Sequence, residues 1–159
     1  MIIRKFNNDD LKQIVDIWNE IVLEGNAFPQ ENLLDLTSGY EFFNSQSLTS
    51  VALLDGEICG LYILHPNNVG TCSHIANVSY GVSSKFRGKH IGEKLVLDSI
   101  KQAKKLGFLI LQFNAVVESN ASARHLYERL GFKQLGTIPK GFKMDEGHYE
   151  NIGPYFIEL

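Results

Sequence analysis

The sequence predicts one α/β unit. Three observations predict it: β-rich runs alternate with segments of helical periodicity along the whole chain, turn-forming Gly, Asn and Asp residues separate them, and no repeat, low-complexity stretch or charge block interrupts the pattern. The 159 residues are expected to form a single domain, 1–159. With 44% hydrophobic and 21% charged residues, a chain of this length can bury roughly two thirds of its surface.

Ile2 to Phe6 reads as a short strand, and Asn7 to Asp10 offer capping side chains to a helix whose Leu11, Ile14, Val15, Trp18, Ile21 and Val22 recur at helical spacing. Gly25 ends it. Phe28 to Gly39 reads as irregular, with a short helix at Tyr40 to Phe43. Leu48 to Leu54 and Glu57 to Leu64 are β-rich runs joined by Asp55-Gly56, a strong hairpin signal because a type I′ turn needs positive φ at both central residues. After a turn at Pro66 to Gly70, Ser73 to Val82 alternates as a strand, with Ala76, Val78, Tyr80 and Val82 on one side and Ile75, Asn77, Ser79 and Gly81 on the other. A helix begins near His90 and ends at Gly107, placed for a left-handed cap. Leu109 to Val117 is a strand, and a second amphipathic helix runs from near Ser119-Asn120 to Gly131. Phe132 to Ile138 and Ile152 to Leu159 are expected to close the sheet, joined by the Gly- and Lys-rich segment Lys140 to Gly147, which reads as a solvated hairpin loop.

Several function classes are excluded. The formal charge is −3, from 15 Lys and Arg against 18 Asp and Glu, so no global cationic field draws in nucleic acid or anionic lipid. Apolar runs such as Phe108 to Leu111 fall far short of the ~20 residues of a membrane span, and Met1 to Lys5 lacks a signal-peptide core. A cytoplasmic protein is expected, with Cys59 and Cys72 as reduced thiols. Cys59, His65, Cys72 and His74 match no paired ligand spacing, so no metal is expected.

The chemistry-bearing stretch is Val82 to Gly92, a strand entering a turn of small and basic residues and then a helix N-terminus. Exposed amides, the helix dipole and the charges of Lys85, Arg87 and Lys89 suit a phosphate or pyrophosphate there. Taken alone, the segment also reads as a plain strand-to-helix turn with solvated lysines. Neither Gly-x-x-x-x-Gly-Lys-Ser/Thr nor Gly-x-Gly-x-x-Gly fits it.

Arg87-Gly88-Lys89-His90-Ile91-Gly92 resembles the pyrophosphate loop Gln/Arg-x-x-Gly-x-Gly/Ala of the GCN5-related N-acetyltransferases, the GNAT superfamily, with His90 in place of the first glycine. Asn120 to Phe132 resembles the family's Asn-x-x-Ala/Ser-x-x-x-Tyr-x-x-x-Gly-Phe, through Asn120, Ala123, Tyr127, Gly131 and Phe132. The resemblance implies a mixed, mostly antiparallel sheet with splayed central strands, helices on both faces, and acetyl-CoA in the gap. It implies pantetheine pairing with the backbone at Tyr80, Gly81 and Val82, the bulge that opens the gap at Gly81, and the pyrophosphate on the amides of Arg87, Gly88, Lys89, His90, Ile91 and Gly92. Tyr127 matches the tyrosine that protonates the leaving thiolate, although its place on the apolar stripe of its helix also suits a core aromatic; Asn120 can bond pantetheine, cap its helix, or both.

On the acceptor side, His74-Ile75-Ala76-Asn77, Phe113-Asn114 and Asn120 look similar to the fungal subgroup that acetylates azetidine-2-carboxylate and related proline analogues. That similarity implies that Asn77 and Asn114 hold the acceptor, Asn114 acting with Tyr127 in catalysis. Mid-strand asparagines are unusual, because a buried amide must find partners. No general base announces itself, although His65 and His74 have suitable intrinsic pKa values. The expected function is transfer of an acetyl group to the amine of a small molecule, an amino acid or its analogue, by direct attack. A peptide or protein acceptor and a non-catalytic acyl-CoA sensor are the alternatives, and a homodimer is expected by family analogy.

Overall fold

The computed structural model describes residues 1–144 and 147–159. In chain order the elements are β1 (Ile2–Lys5), α1 (Leu11–Glu24), α2 (Leu36–Ser45), β2 (Leu48–Leu54), β3 (Glu57–Pro66), β4 (Ile75–Val82), α3 (Ile91–Lys105), β5 (Ile110–Val117), α4 (Ala121–Arg129), β6 (Lys133–Gln134), β7 (Ile138–Lys143) and β8 (Tyr149–Glu158). They build an eight-stranded sheet in the order β1-β2-β3-β4-β5-β8-β6, with β7 also paired to β8. Every pairing among the described residues is antiparallel except β4 with β5.

Local chemistry accounts for most boundaries. Asn7 Oδ1 accepts from Asp9 N at 2.9 Å, and the Asp10 carboxylate accepts from Asn7 N at 2.8 Å while pairing with Arg4 at 2.6 Å. Gly25 closes α1 in the left-handed region, φ 65°, and Asp55 and Gly56 both take positive φ in the β2–β3 turn. Gly25 and the Asp55-Gly56 turn therefore stand as the sequence predicts, whereas the Asn7 and Asp10 side chains cap a 3₁₀ turn, Asn8–Asp10, that leads into α1.

Three expectations are corrected. The second helix starts at Leu36 rather than Tyr40, because Asp35 and Ser38 cap it reciprocally: Ser38 N donates to Asp35 Oδ1 at 2.7 Å and Asp35 N donates to Ser38 Oγ at 3.0 Å. The strand expected over Phe132 to Ile138 is broken, since Gly136 at φ 135° turns the chain between β6 and β7. Lys140 to Lys143, expected as loop, lies in β7, anchored by Phe142 packed with Val117 and Ile152. Asp145 and Glu146 of that expected loop lie outside the described residues.

Helices cover both faces. On one, α1, α2 and the segment between them bury Trp18, Ile21, Phe28 and Phe43 against Val51, Leu61 and Ile63. On the other, α3 and α4 pack over Tyr62, Val78, Tyr80, Leu111 and Phe113. No helix among the described residues is long and apolar enough to cross a membrane.

Candidate active site

β4 and β5 run side by side for only three register pairs, Ile75–Ile110, Ala76–Leu111 and Asn77–Gln112, and then part. Past Asn77, β4 keeps only its β3 neighbour, in unbroken register from Val78 to Val82, so alternate residues aim their N–H and C=O groups into the gap. The bulge expected at Gly81 lies instead in β5. Between the Phe113–Tyr155 and Val116–Gly153 pairs, Asn114 and Ala115 oppose the single residue Pro154, whose carbonyl faces away from β5 and accepts from Leu135 N at 2.8 Å. Gly81 has a different role: a Cβ there would lie 2.6 Å from Ile21 Cδ1, so its lack of a side chain lets α1 approach the sheet.

The gap widens into a cleft of about 870 Å³, within the range of small-molecule sites. It passes through the sheet. Val78, Tyr80 and Val82 point to the α3 and α4 face, while Asn77 and Ser79 point to the α1 face, where Asn26 to Pro29 form the opposite wall.

Of the residues expected at the site, Asn77, Tyr80, Val82, Arg87, Gly88, His90, Ile91, Gly92, Asn114, Asn120, Ala123 and Tyr127 line this cleft. Gly81 and Lys89 do not; Lys89 Nζ lies over the Phe86 ring at 5.2 Å. His65 and His74 also lie outside it.

The loop before α3 shows why its sequence matters. Gly88 takes φ 78° and His90 takes φ 57°, ψ 22°, a left-handed conformation that histidine tolerates better than most side chains. His90 therefore adopts the backbone that the resembling motif fills with glycine. Added Cβ atoms at Gly88 and Gly92 would meet nothing within 4 Å, which leaves open space over the amides that begin α3. This backbone fits a pyrophosphate-bearing cosubstrate, and the free groups of β4 fit an extended amide-containing arm.

Tyr127 sits at the centre of an aromatic group, 4.3 Å from the Phe113 ring centroid and 6.5 Å from that of Tyr80. Its hydroxyl makes no hydrogen bond among the described residues, whereas the Tyr80 hydroxyl is joined to Ser99 Oγ at 2.7 Å. Burial pushes the phenols of both tyrosines above their ordinary value. Asn120 Oδ1 accepts from Ala123 N at 3.2 Å and so caps α4 while lining the cleft.

The two mid-strand asparagines lie on the same face of the sheet. Asn77 Nδ2 donates to Gln112 O at 3.3 Å across the last rung before the gap, so its Oδ1 is left as an acceptor. Asn114 accepts from Gln112 Nε2 at 3.0 Å and donates to Asn67 Oδ1 at 2.7 Å, which ties it to the β3–β4 connection.

Sequence reasoning missed Glu24, Glu93, His125 and Arg129, all of which line the cleft. The spacing of His125 and Arg129, four apart on a face of α4, was the available signal. Glu24 and Glu93 are the lining carboxylates among the described residues, and Arg129 draws the Glu93 carboxyl below its ordinary value. No group of three or more His, Cys, Asp or Glu residues able to hold a metal occurs among the described residues.

A model of the acetyltransferase (GNAT) family matches residues 11–132. The N-acetyltransferase aca1 of Schizosaccharomyces pombe is 33% identical over 101 residues, 64% of this chain and 48% of that protein, so the match spans about half of that relative. A GCN5-related N-acetyltransferase from Kribbella flavida has the same fold at TM-score 0.91 and 31% identity, over 99% of this chain and 97% of that one. A phosphinothricin acetyltransferase from Sinorhizobium meliloti, solved in complex with acetyl-CoA, superposes at TM-score 0.92 and 22% identity, over 99% of this chain and 88% of that one.

Proposed function

Because the chain belongs to the GNAT acetyltransferase family, we propose that it is an acetyl-CoA-dependent N-acetyltransferase whose acceptor is the amine of a small amino acid or amino-acid analogue, of the azetidine-2-carboxylate and proline type. The observation that carries this reading is the through-sheet cleft, with the Tyr127 hydroxyl unpartnered on one face and the amides of Asn77 and Asn114 on the other. Bound acetyl-CoA supplies a thioester activated toward amines. The residues to hold it are the backbone of Tyr80 to Val82, the amides from Arg87 to Gly92, and Asn120 with Ala123 at the start of α4.

The protein's own groups then divide the work. Asn77, with Nδ2 engaged by Gln112 O, presents Oδ1 to an N–H of the acceptor. Asn114 is held from both sides by Gln112 and Asn67 and retains one N–H for a carboxylate oxygen. Tyr127 holds a proton at Oη for the departing sulfur, and its raised pKa keeps that proton in place across neutral pH. Backbone N–H groups near Val82 face the gap where carbonyl oxygen charge develops. Positioning an amine and a thioester in one cleft makes direct attack effectively unimolecular, without a covalent enzyme intermediate. With Glu24 and Glu93 placed at the phosphate end of the cleft beside Arg87 and Arg129, the amine's proton leaves to water, so the rate is expected to rise with pH along the acceptor's own ionisation.

The test is thiol release from acetyl-CoA with free amino acids, proline analogues, polyamines and short peptides. Turnover concentrated on proline-like amino acids supports the proposal. Turnover only on peptides transfers the site to a protein acceptor, and tight CoA binding without turnover on any amine leaves a sensor.

A further inference from the structure

The cations at the phosphate end of the cleft are already engaged. Arg87 Nη2 donates to both oxygens of Glu24, at 2.7 and 2.8 Å, joining the pyrophosphate loop to the last turn of α1. Arg129 Nη1 donates to Glu93 Oε1 at 2.9 Å, joining α4 to the first turn of α3, and His90 Nδ1 lies 3.7 Å from the other Glu93 oxygen. Lys85 is held by Glu57 at 2.7 Å. Lys89 is the exception, with no carboxylate partner among the described residues. Glu24, Arg87, Glu93 and Arg129 all line the cleft, so acids and bases share the space a phosphate must enter.

Resting on the acetyl-CoA reading above, we propose that Glu24 and Glu93 are affinity-setting residues that compete with the cosubstrate's phosphates for Arg87 and Arg129. Each guanidinium already shares its charge with a carboxylate through one nitrogen, Nη2 of Arg87 and Nη1 of Arg129, so a phosphate drawn to its remaining donors meets a second anion beside it. The pairs are partly exposed, with side-chain accessibilities of 48% and 28% for Arg87 and Glu24, and 50% and 23% for Arg129 and Glu93. Ion pairs in such surroundings are weak and exchange partners readily. Binding then costs the two internal pairs and brings phosphate charge beside two carboxylates, while release of CoA restores both pairs. Affinity is thereby capped and departure of the spent thiol favoured.

The opposite role for the same carboxylates is support, holding each guanidinium in the rotamer a phosphate needs. The two roles differ in sign. If the carboxylates compete, Glu24→Gln and Glu93→Gln bind CoA more tightly; if they support, both bind it more weakly.

The experiment is calorimetric titration of CoA, and separately of S-acetylpantetheine, which lacks the pyrophosphate, into wild type, E24Q and E93Q at fixed ionic strength. The expected result is about two- to fivefold tighter CoA binding in each variant, the range that partly exposed ion pairs span, with S-acetylpantetheine affinity unchanged. Weaker or unchanged CoA binding overturns the proposal, as does tightening that appears equally with S-acetylpantetheine. Two isosteric variants on different helices guard against loss of fold in one. A wild-type protein that binds no CoA sinks the acetyl-CoA reading itself, whereas wild-type binding with weakened variants sinks only the competition.

Discussion

Asn114 has no counterpart in register on β8, because Pro154 alone stands across from both Asn114 and Ala115. Pro154 turns its carbonyl away from β5, accepting from Leu135 N at 2.8 Å, and the extra residue in β5 bends that strand away from β4. The same displacement carries Asn114 to the acceptor side of the cleft, so one extra residue in β5 shapes both the gap and the placement of an amide.

Tyr127→Phe should lower kcat by about 10² or more while leaving the Kd for CoA nearly unchanged, the pattern of a lost proton donor. Because burial raises the phenol's pKa, its neutral, proton-donating form persists as pH rises through the ordinary tyrosine range. No alkaline fall in kcat from this group is therefore expected below pH about 10. A variant with wild-type kcat would make Tyr127 a packing residue only.

Three tyrosines, Tyr62, Tyr80 and Tyr127, have their phenols pushed up mainly by burial. The folded state thus keeps protons that the unfolded chain releases near pH 10, and the associated stability is complete below that pH and lost as pH rises above it. Denaturant midpoints measured from pH 8 to 11.5 should be level at first and then fall steeply. A flat profile throughout would contradict the burial of these hydroxyls.

Gly60→Ala tests how β3 positions the phosphate loop. A Cβ at Gly60 would stand 2.7 Å from the Gly81 carbonyl oxygen and 3.2 Å from Leu95 Cδ1, so the β4 backbone itself must shift. Overpacking of this kind costs about 1–3 kcal/mol. The variant should melt lower and bind CoA more weakly, since Gly60 pairs with Val82 where β4 feeds the loop. A melting curve and a CoA titration on one preparation decide it.

Features written in a few adjacent residues were legible before any coordinates. The Asp55-Gly56 turn, the Gly25 and Gly107 helix ends, the Asn120 cap and the two-sided alternation of Ala76 to Val82 each follow from a local rule of backbone or periodicity. What escaped depends on partners far along the chain or on sparse signal. β7 buries just Phe142 in a run that includes Pro139 and Gly141, so its pairing with β8 leaves almost no alternation to see. The Arg87–Glu24 pair joins residues 63 positions apart, and charge alone could not say which of the loop's cations were free. Pro154 was visible inside an otherwise β-rich run, yet its meaning depends on Asn114 and Ala115 standing opposite.

Because β4 and β5 share only three rungs, the sheet is mechanically two four-stranded plates, β1 to β4 and β5 to β8, meeting at a short seam. A ligand arm lying along the open part of β4 replaces the absent rungs and stiffens the joint. Amide exchange in β5 and the upper half of β4 should therefore slow together when the cleft fills, while the β1–β2 edge keeps its own rate. The seam makes occupancy of the cleft a structural event for both plates, sensed at residues no ligand touches.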